Sequence, residues 1–150
     1  MSINHEILID LLRQVNKGIG SFVKDILDRH GIPVTTMIMA RQIGNQPGIT
    51  ISSLSRQTGI AKSHISNIIR DLEQRDWVEK RTDASDQRIL RLYLTPSASE
   101  HLKVIRAEIK QQINALVADI PEQEALDLIQ GLTDIKTTLD LKRKTTELFN

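Results

Sequence analysis

The apolar residues of this chain change rhythm once and then change back. Between Ile7 and Leu72, within each run bounded by Gly, Pro or turn residues, they recur at steps of three and four, the spacing of one helix face. In "RILRLYLT", Arg88 to Thr95, Leu90, Leu92 and Leu94 alternate with Arg91 and Tyr93, the two-residue period of a strand. "WVEKR" precedes it across the polar stretch "TDASDQ", so the two runs read as one hairpin with a polar tip. After Thr95 the helical step returns. A lone hairpin is marginal in water and needs a helical core to lean on. The fold class this predicts is mainly α with a small β wing.

The helical stretches have readable ends. A first helix is expected over residues 3–28, ended by His30, Gly31 and Pro33. A second is expected from Thr35 or Thr36, as N-cap, to about Gly44, before the turn-rich "GNQPG". Thr50 is expected to cap a short third helix that Gly59 stops, and a fourth runs from about Ala61 to Arg75. Thr95 as N-cap with Pro96 at the first helical position opens a fifth, carrying Leu102, Ile105, Ile109, Ile113, Leu116, Val117 and Ile120. Pro121 breaks it and opens a sixth with the stripe Leu126, Ile129, Leu132, Ile135 and Leu139. The end, "KRKTTELFN", reads as frayed. With aromatics at 3%, the core must be mostly aliphatic.

Several function classes fall away. There is no Cys, which excludes a disulfide scaffold and a thiolate metal site. No signal-peptide pattern opens the chain, and no apolar run approaches the roughly 18 to 20 residues that cross a bilayer. A cytoplasmic protein without membrane contact is the expectation. No phosphate loop, nucleophile elbow, zinc motif or paired acid–base cluster is present, so no enzyme and no cofactor are expected. His5, His30, His64 and His101 form no close pair, and no metal is expected.

The fourth helix has an unusual outer side. Taking about 100° per residue with Ile65 at zero, Ile68, Ile69 and Leu72 fall within about 60° of it. Ser63, Ser66, Asn67, Arg70 and Gln74 fall between about 100° and 200°, with His64 at the flank. Short polar side chains are mediocre helix formers, so something else rewards them. Base edges in a major groove offer donors, acceptors and thymine methyls that such side chains meet. "ITISSLSRQTGIAKSHISNIIRDLE" has helix–turn–helix grammar, in which the second helix enters the groove. Ser52 and Ser53 open the helix before it, where free amides suit a phosphate. Lys62 begins the fourth helix. Arg88, beside Gln87 at the wing tip, suits a narrow minor groove, and Lys80, Arg81 and Arg91 suit phosphates. Asp86 is expected to brace Arg88 or cap a turn. Residues 50–95 carry eight Lys or Arg against six Asp or Glu, so placement rather than net charge must carry any binding.

The stretch "ITISSLSRQTGIAKSHISNIIRDLEQRDWVEKRTDASDQRILRLYLT" resembles the winged-helix core of the multiple-antibiotic-resistance regulator (MarR) family. The likeness rests on the short helix "SSLSRQTGI", the recognition helix ending "LEQRDWVEK", and the wing pattern Asp83, Asp86, Arg88, Leu94 and Thr95. The flanking helices match in order and length. Two departures are Pro96, Ser97 and Ala98 where the family commonly has a Gly-containing stretch, and Trp77 where it commonly has Gly or a small residue.

The resemblance implies a homodimeric repressor that binds double-stranded DNA at an inverted repeat and is released by a small-molecule effector. Residues 1–34 and 96–150 would form the helical dimerisation region and residues 35–95 the DNA-binding domain. The effector is expected to be a small apolar or aromatic anion in a crevice between these layers, with Met37 and His30 as candidate contacts. The alternative is a winged-helix module that binds protein and not DNA. Salt discriminates them, since phosphate neutralisation makes DNA affinity fall steeply with ionic strength.

Overall fold

Asn4 starts the first helix: its side-chain oxygen accepts from the backbone N–H of Glu6 at 3.2 Å and of Ile7 at 3.4 Å. The structure, a computed structural model, describes residues 4–148. Eight elements follow in order: α1 (His5–Arg29), α2 (Val34–Asn45), α3 (Ile51–Thr58), α4 (Lys62–Gln74), β1 (Val78–Thr82), β2 (Leu90–Leu94), α5 (Pro96–Val117) and α6 (Glu122–Leu148). This is a mainly α fold with a small β wing, as the change of period predicts, and α3, α4 and the hairpin form a winged helix–turn–helix. The chain divides into two compact units, one through Lys110 and one from Gln111.

The helix ends follow their residues, with two exceptions. Gly31, at φ 66°, ends α1 in a left-handed cap: its N–H reaches Asp28 O and that of Ile32 reaches Leu27 O, both at 3.0 Å. Thr50 caps α3 by accepting from Ser53 N at 3.2 Å, and Gly59, at φ 72°, closes it. The first exception is α2. Its cap is Pro33, with no side-chain hydrogen bond, so neither Thr35 nor Thr36 is the N-cap expected. Thr36 is buried and directs its hydroxyl to Asp71 of α4 at 3.3 Å. The second is α4, whose C-terminal turn holds Asp76 at φ 58°. Trp77 N–H reaches Leu72 O at 2.8 Å and Asp76 N–H reaches Glu73 O at 2.9 Å, so the tight cap forms without glycine. Trp77 then packs into the core.

The wing is antiparallel, in register from Val78 opposite Leu94 to Thr82 opposite Leu90. A third segment ties it down: Ile49 bridges Leu92, with Leu92 N–H to Ile49 O at 3.0 Å and Gly48 N–H to Leu92 O at 2.8 Å. Thr95 closes the hairpin onto α5. Its hydroxyl donates to Asp76 O at 2.6 Å and accepts from Ala98 N–H at 3.1 Å, as a cap before Pro96 should. α5 ends at Val117, short of Ile120, which turns back to Val117 O at 3.1 Å.

The core of the first unit is aliphatic. Leu27, Ile32, Met39, Ile43, Leu54, Ile65, Ile69, Leu72, Leu92, Leu102 and Ile105 are fully buried, with Trp77 beside them. Each such side chain contributes about 1.5 to 3 kcal/mol on burial. It is this shared core that seats α4 and β2 on α2. A different set stays bare: Ile7, Leu8, Leu11, Val15 and Ile19 on α1, and Leu126, Ile129, Leu132, Ile135 and Leu139 on α6. The "KRKTTELFN" segment, read as frayed, is helical through Leu148; Phe149 and Asn150 lie outside the described residues. Among the described residues no helix is long and apolar enough to cross a membrane.

Candidate nucleic-acid interface

The apolar stripe of α4 fixes which side of it meets solvent. Ile65, Ile68, Ile69 and Leu72 are buried. Lys62, Ser63, His64, Asn67 and Arg70 are therefore exposed, and Ser66 is half-buried. Among the described residues, these six side chains make no hydrogen bond or ion pair, so their donors and acceptors are free for a ligand. The turn that aims α4 is braced by Ser55, whose hydroxyl donates to Ile60 O at 2.8 Å.

The start of α3 and the wing tip approach each other. A cleft of about 360 Å³ is lined by Thr50, Ile51, Ser52, Arg88, Ile89 and Leu90. Ser52 is exposed there. Ser53 is held in the cap: besides its N–H, its hydroxyl oxygen accepts from Thr50 at 3.3 Å and from Arg56 at 3.1 Å.

Arg88 projects into solvent, with 91% of its side chain exposed. Asp86 steadies its base by accepting from its backbone N–H at 3.0 Å and its Nε at 3.2 Å. These bonds, the backbone one first, hold the Asp86 carboxyl below its ordinary value. Gln87 is exposed at the same tip.

The other wing cations have partners within the protein. Arg91, expected at a phosphate, is held by Asp83 through its Nε and by Gly48 O at 3.0 Å through Nη1. Asp83 also accepts from the Ser85 hydroxyl at 2.7 Å and from the N–H groups of Ser85 and Asp86. Arg91 first, then Ser85, keep the Asp83 carboxyl well below the usual carboxylate range. Arg91 is thus a strut between wing tip and α2–α3 loop. Arg81 forks onto Glu79 at 3.1 and 3.2 Å and lies 4.5 Å over the Tyr93 ring. Lys80 pairs with Glu73 of α4.

A second concavity lies beneath α2. About 580 Å³ is lined by Val23 and Leu27 of α1, Val34, Met37, Ile38, Arg41 and Asn45 of α2, and Arg106 and Ile109 of α5. Met37 is in it; His30 is not. His30 Nε2 lies 2.7 Å from Glu108 Oε2, and Arg29 binds the other oxygen at 2.7 Å. The His30 ring meets His101 edge-on at 6.1 Å, and His101 lies 5.3 Å from Trp77. The sequence reading missed Arg41 and Arg106. Arg41 follows Met37 by four residues on the same helix face, and that spacing was the available signal. Among the described residues, no group of three or more His, Asp or Glu is placed to hold a metal ion.

A family model, that of the MarR family, matches residues 40–90. A protein assigned to transcriptional regulation of the hcr operon in Thauera aromatica is 25% identical over 108 residues, spanning 72% of this chain and 65% of that relative's own length. Among solved structures, a MarR family protein from Bacillus stearothermophilus superposes with a TM-score of 0.81 at 14% identity, covering 93% of this chain and 99% of that one. The FabT protein of Streptococcus pneumoniae, solved in complex with DNA, superposes with a TM-score of 0.73 at 18% identity, covering 91% and 98%.

Proposed function

We propose that this chain, whose residues 40–90 match the MarR family model, is a sequence-specific DNA-binding transcriptional regulator of that family. The observation that carries this is the free polar stripe of α4, together with the exposed Arg88 at the wing tip. Asn67 and Arg70 read base edges, with Ser63, Ser66 and His64 beside them. Lys62, Ser52, Ser53 and Gln87 contact backbone, and Arg88 enters the minor groove. Arg81 and Arg91, engaged by Glu79 and Asp83, contribute at most by their remaining N–H groups.

The chain acts as a homodimer, with residues 1–34 and 96–150 as the dimerisation region and residues 35–95 as the DNA-binding domain. Support comes from the bare apolar side chains of α1 and α6, which a second copy would cover. A two-fold dimer reads an inverted repeat with half-sites roughly 34 to 36 Å apart. The regulator is a repressor, released when a small apolar anion enters the concavity beneath α2. Its lining pairs Met37, Ile38 and Ile109 with the guanidinium groups of Arg41 and Arg106, which suits a carboxylate on an aromatic body. Such a ligand relieves repression only by its differential affinity for the two arrangements of the recognition helices.

Sequencing DNA fragments selected from a random pool by the pure protein tests the reading. An inverted repeat supports it. Selection of no sequence, together with salt-independent association, favours the protein-binding module instead.

A further inference from the structure

We propose that Asp71 and Arg75 are positioning residues that latch the recognition helix to the α1–α2 junction, so that the junction and the DNA-facing stripe of α4 move together. This rests on the regulator reading above.

Arg75 stands at the C-terminal end of α4. Its Nε donates to Asp71 Oδ2 one turn back at 2.9 Å, and its Nη2 donates to Gly31 O at 2.9 Å. Gly31 is the left-handed cap residue of α1, so the cation also sits at the negative end of that helix. The same Asp71 oxygen accepts from Thr36 of α2 at 3.3 Å. Thr36 is the one buried polar side chain among the described residues, and a buried hydroxyl is costly to leave unpaired. One turn of α4 is thus bonded to α2 and to the C-terminal cap of α1, two of the three helices that line the concavity. Thr36 directly precedes Met37, and Leu27, whose carbonyl takes the α1 cap bond, lines the same space.

The other contacts of α4 with the core are made by Ile65, Ile68, Ile69 and Leu72. Apolar burial is non-directional; it sets how deep a helix sits but resists rotation weakly. Hydrogen bonds are directional and fix that rotation. A turn of about 20° at the roughly 5 to 6 Å side-chain radius of a helix moves a tip by about 2 Å. That is enough to break a bond between Asn67 and a base edge while leaving phosphate contacts in reach.

The test compares Arg75→Met, Arg75→Lys, Asp71→Asn and Thr36→Val with wild type, on a DNA fragment selected by wild type and on random DNA. Arg75→Met and Asp71→Asn are expected to lose roughly tenfold on the selected fragment and less than about twofold on random DNA, with an unchanged salt slope. Arg75→Lys keeps the charge and one bond, and should recover part of the loss. Equal loss on both DNAs, or none, overturns the proposal. Thr36→Val conserves volume and carries the test if Arg75→Met does not fold. Amide exchange supplies the second arm. DNA should slow exchange over residues 31–37 in wild type, and in Arg75→Met should slow it in α4 alone; unchanged protection of the junction in Arg75→Met overturns the coupling. If wild type selects no fragment, the regulator reading fails by itself. The latch is then judged without DNA, by whether Arg75→Met speeds exchange in α4 and in residues 31–37 alike; unchanged exchange at both overturns it.

Discussion

Gly48→Ala places a methyl group where the wing is tied to the α2–α3 loop. Gly48 has φ 85°, donates to Leu92 O at 2.8 Å and accepts from Arg91. All these bonds survive in alanine, so the cost comes from two other sources. An L-residue held at positive φ costs about 1 to 2 kcal/mol. The added Cβ would lie 3.1 Å from the Tyr93 hydroxyl oxygen, closer than an ordinary contact, and 3.5 Å from the ring carbon that bears it. Tyr93 lies beneath the Arg81 guanidinium, so its ring yields at some cost, adding about 1 kcal/mol of overpacking. The expected loss is about 2 to 3 kcal/mol, or roughly 4 to 12 °C in Tm for a chain of this size. Urea unfolding followed by Trp77 fluorescence measures it, since Trp77 is the only tryptophan and is buried. Protein concentration must be held fixed, because assembly shifts apparent stability. Tyr93→Phe removes the hydroxyl, so in that background Gly48→Ala should cost about 1 kcal/mol less. A Gly48→Ala protein within about 0.5 kcal/mol of wild type would refute the backbone argument. The same cost in both backgrounds would refute the contact.

Arg88→Ala should weaken binding to the selected DNA while leaving unfolding nearly unchanged, because the side chain is exposed and, among the described residues, is hydrogen-bonded to Asp86 alone; unaltered affinity counts against a wing contact. Asp76→Gly should stabilise by about 0.5 to 1 kcal/mol, as glycine adopts positive φ without penalty; a loss in urea midpoint would mean the Asp76 side chain has a role of its own. Glu108, whose carboxyl is held below its ordinary value by His30 first and Arg29 after, gives a pH-dependent term. A lowered folded value means this stability is present above the ordinary carboxylate range and is lost as pH falls through the folded value. Glu108→Gln should therefore flatten the acid limb of a stability-against-pH curve; an identical limb would remove Glu108 from the account.

What was legible in the sequence was what short spacing controls. Thr50, Gly59 and, in its cap bond to Ala98, Thr95 act on residues within one turn, and each is a residue type with one dominant local use. Thr36 misled because the same hydroxyl that caps a helix also satisfies a buried partner, and that partner, Asp71, lies 35 residues away. Asp76 was invisible as a left-handed cap because glycine is the usual signal and aspartate only an occasional substitute. The alternation sets Arg91 on the face opposite Leu92, but Asp83 folds back over that face and pairs with the guanidinium. Of the two residues expected in the crevice, Met37 lines the concavity and His30 does not. Glu108, 78 residues on, draws the imidazole toward α5, while Arg41 and Arg106 come together only through tertiary packing.

The most direct measurement of the central claim is a titration of wild type and of Ser63→Ala/Asn67→Ala/Arg70→Ala against selected and random DNA over a range of salt. Wild type should prefer the selected fragment, with affinity falling steeply as salt rises. The triple variant should lose most of that preference, about 1 to 3 kcal/mol per good base contact removed, while still binding random DNA. Undiminished preference in the triple variant, or wild-type binding indifferent to salt, would contradict the claim.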